Sequence, residues 1–87
     1  MASIKGCYFT VTGHTKNSGL VGIFFQRRKP KRGDHFRLLI DTSTGMMFAT
    51  FFRGGMKTKG RLLSHKIVCA LHARALSEGV LKKYDVA

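Results

Sequence analysis

The sequence predicts an α+β fold, a four-stranded antiparallel meander followed by one C-terminal helix packed on one face of the sheet. Three observations lead there. From Gly6 to Arg53 the apolar residues come in short blocks rich in Phe, Val, Ile and Thr, separated by Gly, Asn, Asp, Ser and basic residues, as strands and turns require. After Arg53-Gly54-Gly55 the apolar spacing changes from two to three and four. A chain of 87 residues also leaves room for a single small domain and no second core.

The first strand is expected at about residues 6–12, where Cys7, Phe9 and Val11 alternate with Tyr8, Thr10 and Thr12 as on a half-buried strand. Gly13 to Gly19 reads as a polar turn. A second strand at about 20–26 and a third at about 35–40 flank the segment Arg27-Arg28-Lys29-Pro30-Lys31-Arg32-Gly33-Asp34. Asp41-Thr42-Ser43-Thr44-Gly45 has the composition of a hairpin loop and leads into a fourth strand at about 46–52. The helix is expected at about 61–78, some five turns, because Leu62, Leu63, Ile67, Val68, Leu71, Ala75 and Leu76 recur at helical spacing. Gly79 suits the C′ position that ends a helix, with Val80 as the apolar residue after it. The alternative is a helix running on to Lys83 across Gly79, at a cost of about 1 kcal/mol. Four strands and then a helix fold most simply as a meander with the helix across one face.

In the order of its elements the chain resembles the four-strand-plus-helix units of single-stranded nucleic-acid-binding coactivator and Whirly-type proteins. The resemblance covers no sequence motif.

Charge is the strongest functional signal. Sixteen Lys and Arg stand against four Asp and Glu, a formal net charge of +12, while 44% hydrophobic and 10% aromatic residues describe a folded chain and not a basic tail. Such an imbalance points to a polyanionic partner. No apolar run approaches the roughly 18 residues of a membrane span, and Met1-Ala2-Ser3-Ile4-Lys5 lacks the apolar core of a secretory signal, so a cytoplasmic protein is expected. In a reducing compartment Cys7 and Cys69 are expected as two buried or half-buried thiols, not a disulfide. A domain of this size hides only about 60–65% of its unfolded surface, so a homodimer partner would help to stabilise it.

The cations are concentrated. Arg27, Arg28, Lys29, Lys31 and Arg32 fall in one connection, and Arg53, Lys57, Lys59 and Arg61 in another. In a plain meander both connections lie at one end of the sheet, and the repulsion within such a rim is relieved when phosphates neutralise it and release counterions. A solvated surface would be served as well by mixed signs. The start of the helix is unusual on this reading. Helix N-termini normally recruit acidic residues, whereas Lys57, Lys59 and Arg61 surround this one, which describes an anion site. Gly55-x-x-x-x-Gly60 has the spacing of a phosphate-binding loop but continues Arg61-Leu62 where Lys-Ser/Thr is required, so a nucleotidase is set aside. Arg28-Lys29-Pro30-Lys31-Arg32 also has the composition of a nuclear-localisation tract, a pattern that short basic runs often meet by chance.

Phe24-Phe25 and Phe51-Phe52 put one ring on each face of the sheet. With Cys7, Phe9, Val11, Val21, Ile23, Phe25, Phe36, Leu38 and Ile40 under the helix, the open face carries Tyr8, Thr10, Phe24, Gln26, Arg37 and Leu39, joined by either Phe48 and Phe52 or Phe51. Such a face can stack unpaired bases, each worth roughly 1–3 kcal/mol, or be covered by a second copy or a loop. On the helix, Leu62, Cys69, Leu76 and Val80 form one stripe and Leu63, Ile67 and Leu71 another. One sheet does not easily cover both, which again suggests a homodimer.

Catalysis and metal binding find little support. His65, Cys69 and His72 share a helix face, but His65 and His72 are about 10.5 Å apart in rise, too far for one zinc ion, and Cys7 and His14 would have to complete a set with no compact motif. Asp34, Asp41, Glu78 and Asp85 are the acidic residues, few for a metal-dependent nuclease. His14 and His35 with a nearby Lys are a conceivable acid–base pair without recognisable spacing. The expectation is therefore a non-enzymatic nucleic-acid-binding protein without cofactor or metal, with single-stranded DNA or RNA slightly preferred over duplex. Arg27, Arg28, Lys29, Lys31, Arg32, Arg53, Lys57, Lys59 and Arg61 would hold the backbone, and Tyr8, Phe24 and Arg37 would stack bases. The alternative is a compact inhibitor or adaptor whose basic rim docks on an acidic surface of a protein partner.

Overall fold

A computed structural model describes residues 9–27, 34–53 and 59–84. They form β1 (Phe9–Asn17), β2 (Leu20–Arg27), β3 (His35–Asp41), β4 (Met47–Phe52), the two-residue β5 (Arg61–Leu62), helix α1 (His65–Ser77) and a terminal 3-10 helix, Val80–Tyr84. The strands pair in the order β1-β2-β3-β4-β5, each antiparallel to its neighbour. The α+β meander with one helix on one face is thus the observed fold, extended by a short fifth strand.

Alternation decides which face is covered. Val21, Ile23 and Phe25 on β2 and Leu38 and Ile40 on β3 are buried, and they meet Val68, Leu71 and Ala75 of α1 together with Val80 and Leu81. Phe9 packs edge-on against Phe36 with centroids 5.0 Å apart, and each fully buried Phe, Ile or Leu contributes about 1.5–3 kcal/mol.

The first hairpin differs from expectation. Residues 13–17 continue β1 instead of forming a turn, and the turn is Ser18-Gly19 alone, with φ of 52° and 84°. Two positive φ values match the twist of a two-residue hairpin. The polar residues Thr15, Lys16 and Asn17 suit an edge strand because their side chains are exposed. Between Val11 and Gly13 the ladder bulges. That extra residue places His14 opposite Ile23 on the covered face, where its Nδ1 is hydrogen-bonded with the Tyr84 hydroxyl and ties the chain end to β1.

The turn at 41–45 closes as its composition implies. Asp41 accepts hydrogen bonds from the Ser43 hydroxyl (2.7 Å) and Ser43 N–H (3.0 Å), and Gly45 takes φ +80° while its N–H donates to Asp41 O (2.7 Å).

The helix starts later than residue 61. Arg61 pairs with Phe51 and Leu62 with Thr50, and Leu63 N–H donates to Ala49 O (2.9 Å), so this stretch satisfies its backbone in the sheet. Extended Ser64 then caps α1, its carbonyl accepting from Val68 N–H (3.2 Å). The other end decides between the two alternatives: Gly79 adopts φ +74°, and its N–H donates to Leu76 O (3.0 Å), so α1 stops there.

Candidate nucleic-acid interface

The ladder Gln26, His35 and Phe52 runs across one end of the sheet. The connection after β2 leaves from that end at Arg27 and returns at Asp34, and the segment after β4 leaves at Arg53. Both basic connections are therefore rooted at the same end. Arg28, Lys29, Lys31, Arg32, Lys57, Tyr8 and Cys7 lie outside the described residues. Arg27 itself ends β2 with its backbone opposite Phe9.

The face turned away from α1 is set by register. Phe24, Arg37, Thr50 and Leu62 form one cross-strand row, Gly22, Leu39 and Phe48 the next, and Gln26, His35 and Phe52 the row at the basic end. Strand four therefore takes the register that puts Phe48 and Phe52 on this face and Phe51 on the other. Phe24, Arg37 and Leu39 are half-buried, and Phe48 is 44% exposed. The Phe24 ring lies beside Gly22 and Leu39, because a side chain at Gly22 would stand 3.7 Å from Phe24 Cζ and 3.6 Å from Leu39 Cδ2.

This face is not open throughout. Thr50 and Phe52 are buried, with Gly60 seated against both. Arg37 also covers Phe52, its guanidinium carbon 5.2 Å from the ring centroid, within cation–π range. Arg37 Nε is buried and has no hydrogen-bond partner among the described residues. Phe24 and Arg37, expected to stack bases, are thus direct cross-strand neighbours on one surface.

Arg53, Lys59 and Arg61 converge elsewhere. The Arg53 and Arg61 guanidinium carbons each lie 5.8 Å from the Phe51 centroid, and the two arginines, Phe51 and Lys59 line a cavity of about 180 Å³ on the α1 side of the sheet end. This corrects the expected arrangement. Lys59 and Arg61 do not open a helix but belong to β5 and its approach, and what they surround is an aromatic ring. Phe51 is the site residue that residue types alone do not reveal. The available signal was its two-residue spacing from Arg53, which puts both on one side of an extended chain.

Two of the carboxylates, those of Glu78 and Asp41, are engaged away from this cavity. Glu78 accepts from Arg74 Nε (2.8 Å) and from Val11 N–H (3.4 Å), and Asp41 holds its own turn. Hydrogen bonds from the Ser43 side chain, and then from its backbone, keep the Asp41 carboxyl below its usual value of 3.8.

Helix α1 presents its Ile67, Val68, Leu71 and Ala75 side to the sheet, so Cys69 is exposed, against the expectation of a buried or half-buried thiol; its Sγ is 3.3 Å from His65 Nε2. The stripe expected from Leu62, Cys69, Leu76 and Val80 is divided. Leu62 lies in β5 and is exposed, Val80 is buried in the 3-10 helix, and only Cys69 and Leu76 remain exposed on α1. Among the described residues no group of three His, Cys, Asp or Glu is placed to hold a metal ion, and no helix is long and apolar enough to cross a membrane. Comparison with protein-family models, curated proteins and solved structures finds no match.

Proposed function

We propose that this protein binds nucleic acid without catalysing a reaction, holding phosphates along its basic sheet end and stacking unpaired bases on the face opposite α1. The observation that carries this reading is the sidedness of the sheet. Phe24 and Arg37 stand side by side on the face turned away from α1, one row in from the end from which both basic connections leave. A base stacked on a ring or a guanidinium plane gains roughly 1–3 kcal/mol irrespective of sequence, and the rim supplies salt-dependent affinity through counterion release. Single-stranded DNA or RNA is preferred on this reading, because a duplex keeps its base faces stacked internally.

The test is anisotropy titration of labelled single-stranded DNA, single-stranded RNA and duplex DNA over a range of salt. Single strands are expected to bind more tightly, with an affinity that falls steeply with salt. Phe24→Leu, checked for folding by circular dichroism, is expected to weaken single-strand binding about 5- to 100-fold and duplex binding much less. Absence of binding at low salt would sink the proposal.

Exposed Leu20, Phe48 and Leu62 on the same face favour a second reading, an adaptor or inhibitor that docks on an acidic protein surface. In that case Phe24→Leu and salt affect capture of the protein partner and no oligonucleotide binds. The solution mass, measured alongside, tests whether these apolar residues pair two copies as a homodimer.

A further inference from the structure

We propose that the cavity between Phe51, Arg53, Lys59 and Arg61 receives the terminal phosphate monoester of a nucleic-acid strand. The assignment rests on the nucleic-acid reading above and adds to it a ligand group that the stacking face does not select.

Charge favours a monoester over the diesters within a strand. Among the described residues three cations and no carboxylate line the cavity. A diester carries one negative charge, whereas a phosphate monoester carries about 1.5 to 2 at neutral pH and presents three strong acceptor oxygens. The end group therefore gains more from the same cations.

The aromatic ring arranges the cations without neutralising them. Both guanidiniums lie within cation–π range of Phe51, 5.8 Å from its centroid. A guanidinium can rest its plane on a ring and still offer its N–H edge to phosphate in a bidentate pair. Arg61 is held from a second direction as well, since its backbone pairs with Phe51 in the β4–β5 ladder. Lys59, two residues earlier, adds a point charge.

The space is small and open to solvent on one side. A space of about 180 Å³ is smaller than the roughly 300–1,000 Å³ of sites that enclose a drug-sized ligand, so it suits a phosphate with part of its sugar and leaves the base outside. Position then explains where the base goes. Phe51 and Phe52 are consecutive, and they occupy opposite faces at one end of the sheet. A flexible single strand whose end is seated at Phe51 needs only to turn around that end to reach Arg37 and Phe24.

The experiment uses the full chain and three labelled single strands of one sequence, ending in a 5′-phosphate, a 3′-phosphate or hydroxyls only. At low salt one or both phosphorylated strands are expected to bind about tenfold more tightly than the hydroxyl-ended strand, the scale of one charge-assisted hydrogen bond. The variant Arg53→Gln/Arg61→Gln, at two exposed positions, is expected to bring that ratio close to one. Arg37→Gln, on the opposite face, is expected to weaken all three strands and keep the ratio. Equal affinity for the three ends in the unaltered protein would overturn this site and leave the nucleic-acid reading standing. A ratio that survives in Arg53→Gln/Arg61→Gln would also overturn it. Failure of every strand to bind would overturn both.

Discussion

Gly60 is the position where one methyl group should do most damage. A Cβ there would overlap Thr50 Cγ2 and lie 2.7 Å from Phe52 Cε1, and both side chains are buried, at 7% and 6% exposure. Neither atom is the far end of a flexible chain, so Gly60→Ala must displace the 59–61 segment or push Thr50 and Phe52 into their neighbours. Overpacking of this kind costs about 1–3 kcal/mol. In a domain of this length 1 kcal/mol corresponds to about 4–8 °C, so a fall in Tm of roughly 5–20 °C is expected by circular dichroism. Gly13→Ala supplies the control, because nothing lies within 4 Å of a Cβ at Gly13. Its change should stay within about 1 kcal/mol. Thr50→Ser removes the nearer of the two clashing atoms, so the double variant should be less destabilised than the sum of its parts, a coupling that a double-mutant cycle measures. A Gly60→Ala protein that melts with the unaltered chain, or strict additivity with Thr50→Ser, would refute the packing of residue 60 on the sheet. Because Gly60 lies between Lys59 and Arg61, the same variant should also lower any preference for phosphorylated ends.

Three further outcomes are expected. Tyr84→Phe removes the hydroxyl hydrogen-bonded to His14 and should cost about 0.5–1.5 kcal/mol in urea denaturation, with fraying confined to the 3-10 helix as seen by hydrogen exchange. Ser18 holds φ +52°, a conformation that favours Asn or Gly, so Ser18→Asn should raise the denaturation midpoint by up to about 1 kcal/mol in equivalent stability. The folded-state pKa of Asp41 is depressed by Ser43, so its contribution is fully present above the unfolded value near 3.8 and is lost as pH falls through the lower folded value. Asp41→Asn should therefore be less stable than the unaltered chain at pH 6, with the difference shrinking at the acid end of a pH series of urea midpoints.

The parts of the fold legible in the sequence are those where a side chain and its local backbone ask for the same thing. Val21, Ile23 and Phe25 are apolar at every second position and form the buried row of β2; Gly79 lies just past the last helical turn and takes the left-handed conformation there. Legibility fails where tertiary pairing overrides composition. Residues 13–17 are too polar to signal a strand, yet an edge strand needs only one hydrogen-bonded neighbour and tolerates exposed Thr, Lys and Asn. Leu62 shares the apolar spacing of α1, but the free edge of β4 takes it and Arg61 first. The site divides in the same way. Arg37 and Phe24 share a face by alternation alone, whereas Phe51 joins Arg61 only through a two-residue strand that no sequence pattern announces.

The use of aromatic rings beneath the arginines stems from the scarcity of acids. With four carboxylates for 16 basic side chains, most cations have no acidic partner to be drawn from within the chain, and Glu78 and Asp41 are already committed to α1 and to a turn. An ion pair would fix an arginine but also cancel its field. A ring fixes it through its quadrupole and leaves the full charge in place. The doublet Phe51-Phe52 does this twice at one sheet end, holding Arg53 and Arg61 on one face and Arg37 on the other. Positioned but unneutralised charge is costly in the isolated protein through self-repulsion and is relieved by a polyanion. On this argument phosphate binding should stabilise the fold as well as occupy it: single-stranded oligonucleotide should raise Tm at low salt, and that rise should shrink in Arg37→Gln and vanish at high salt.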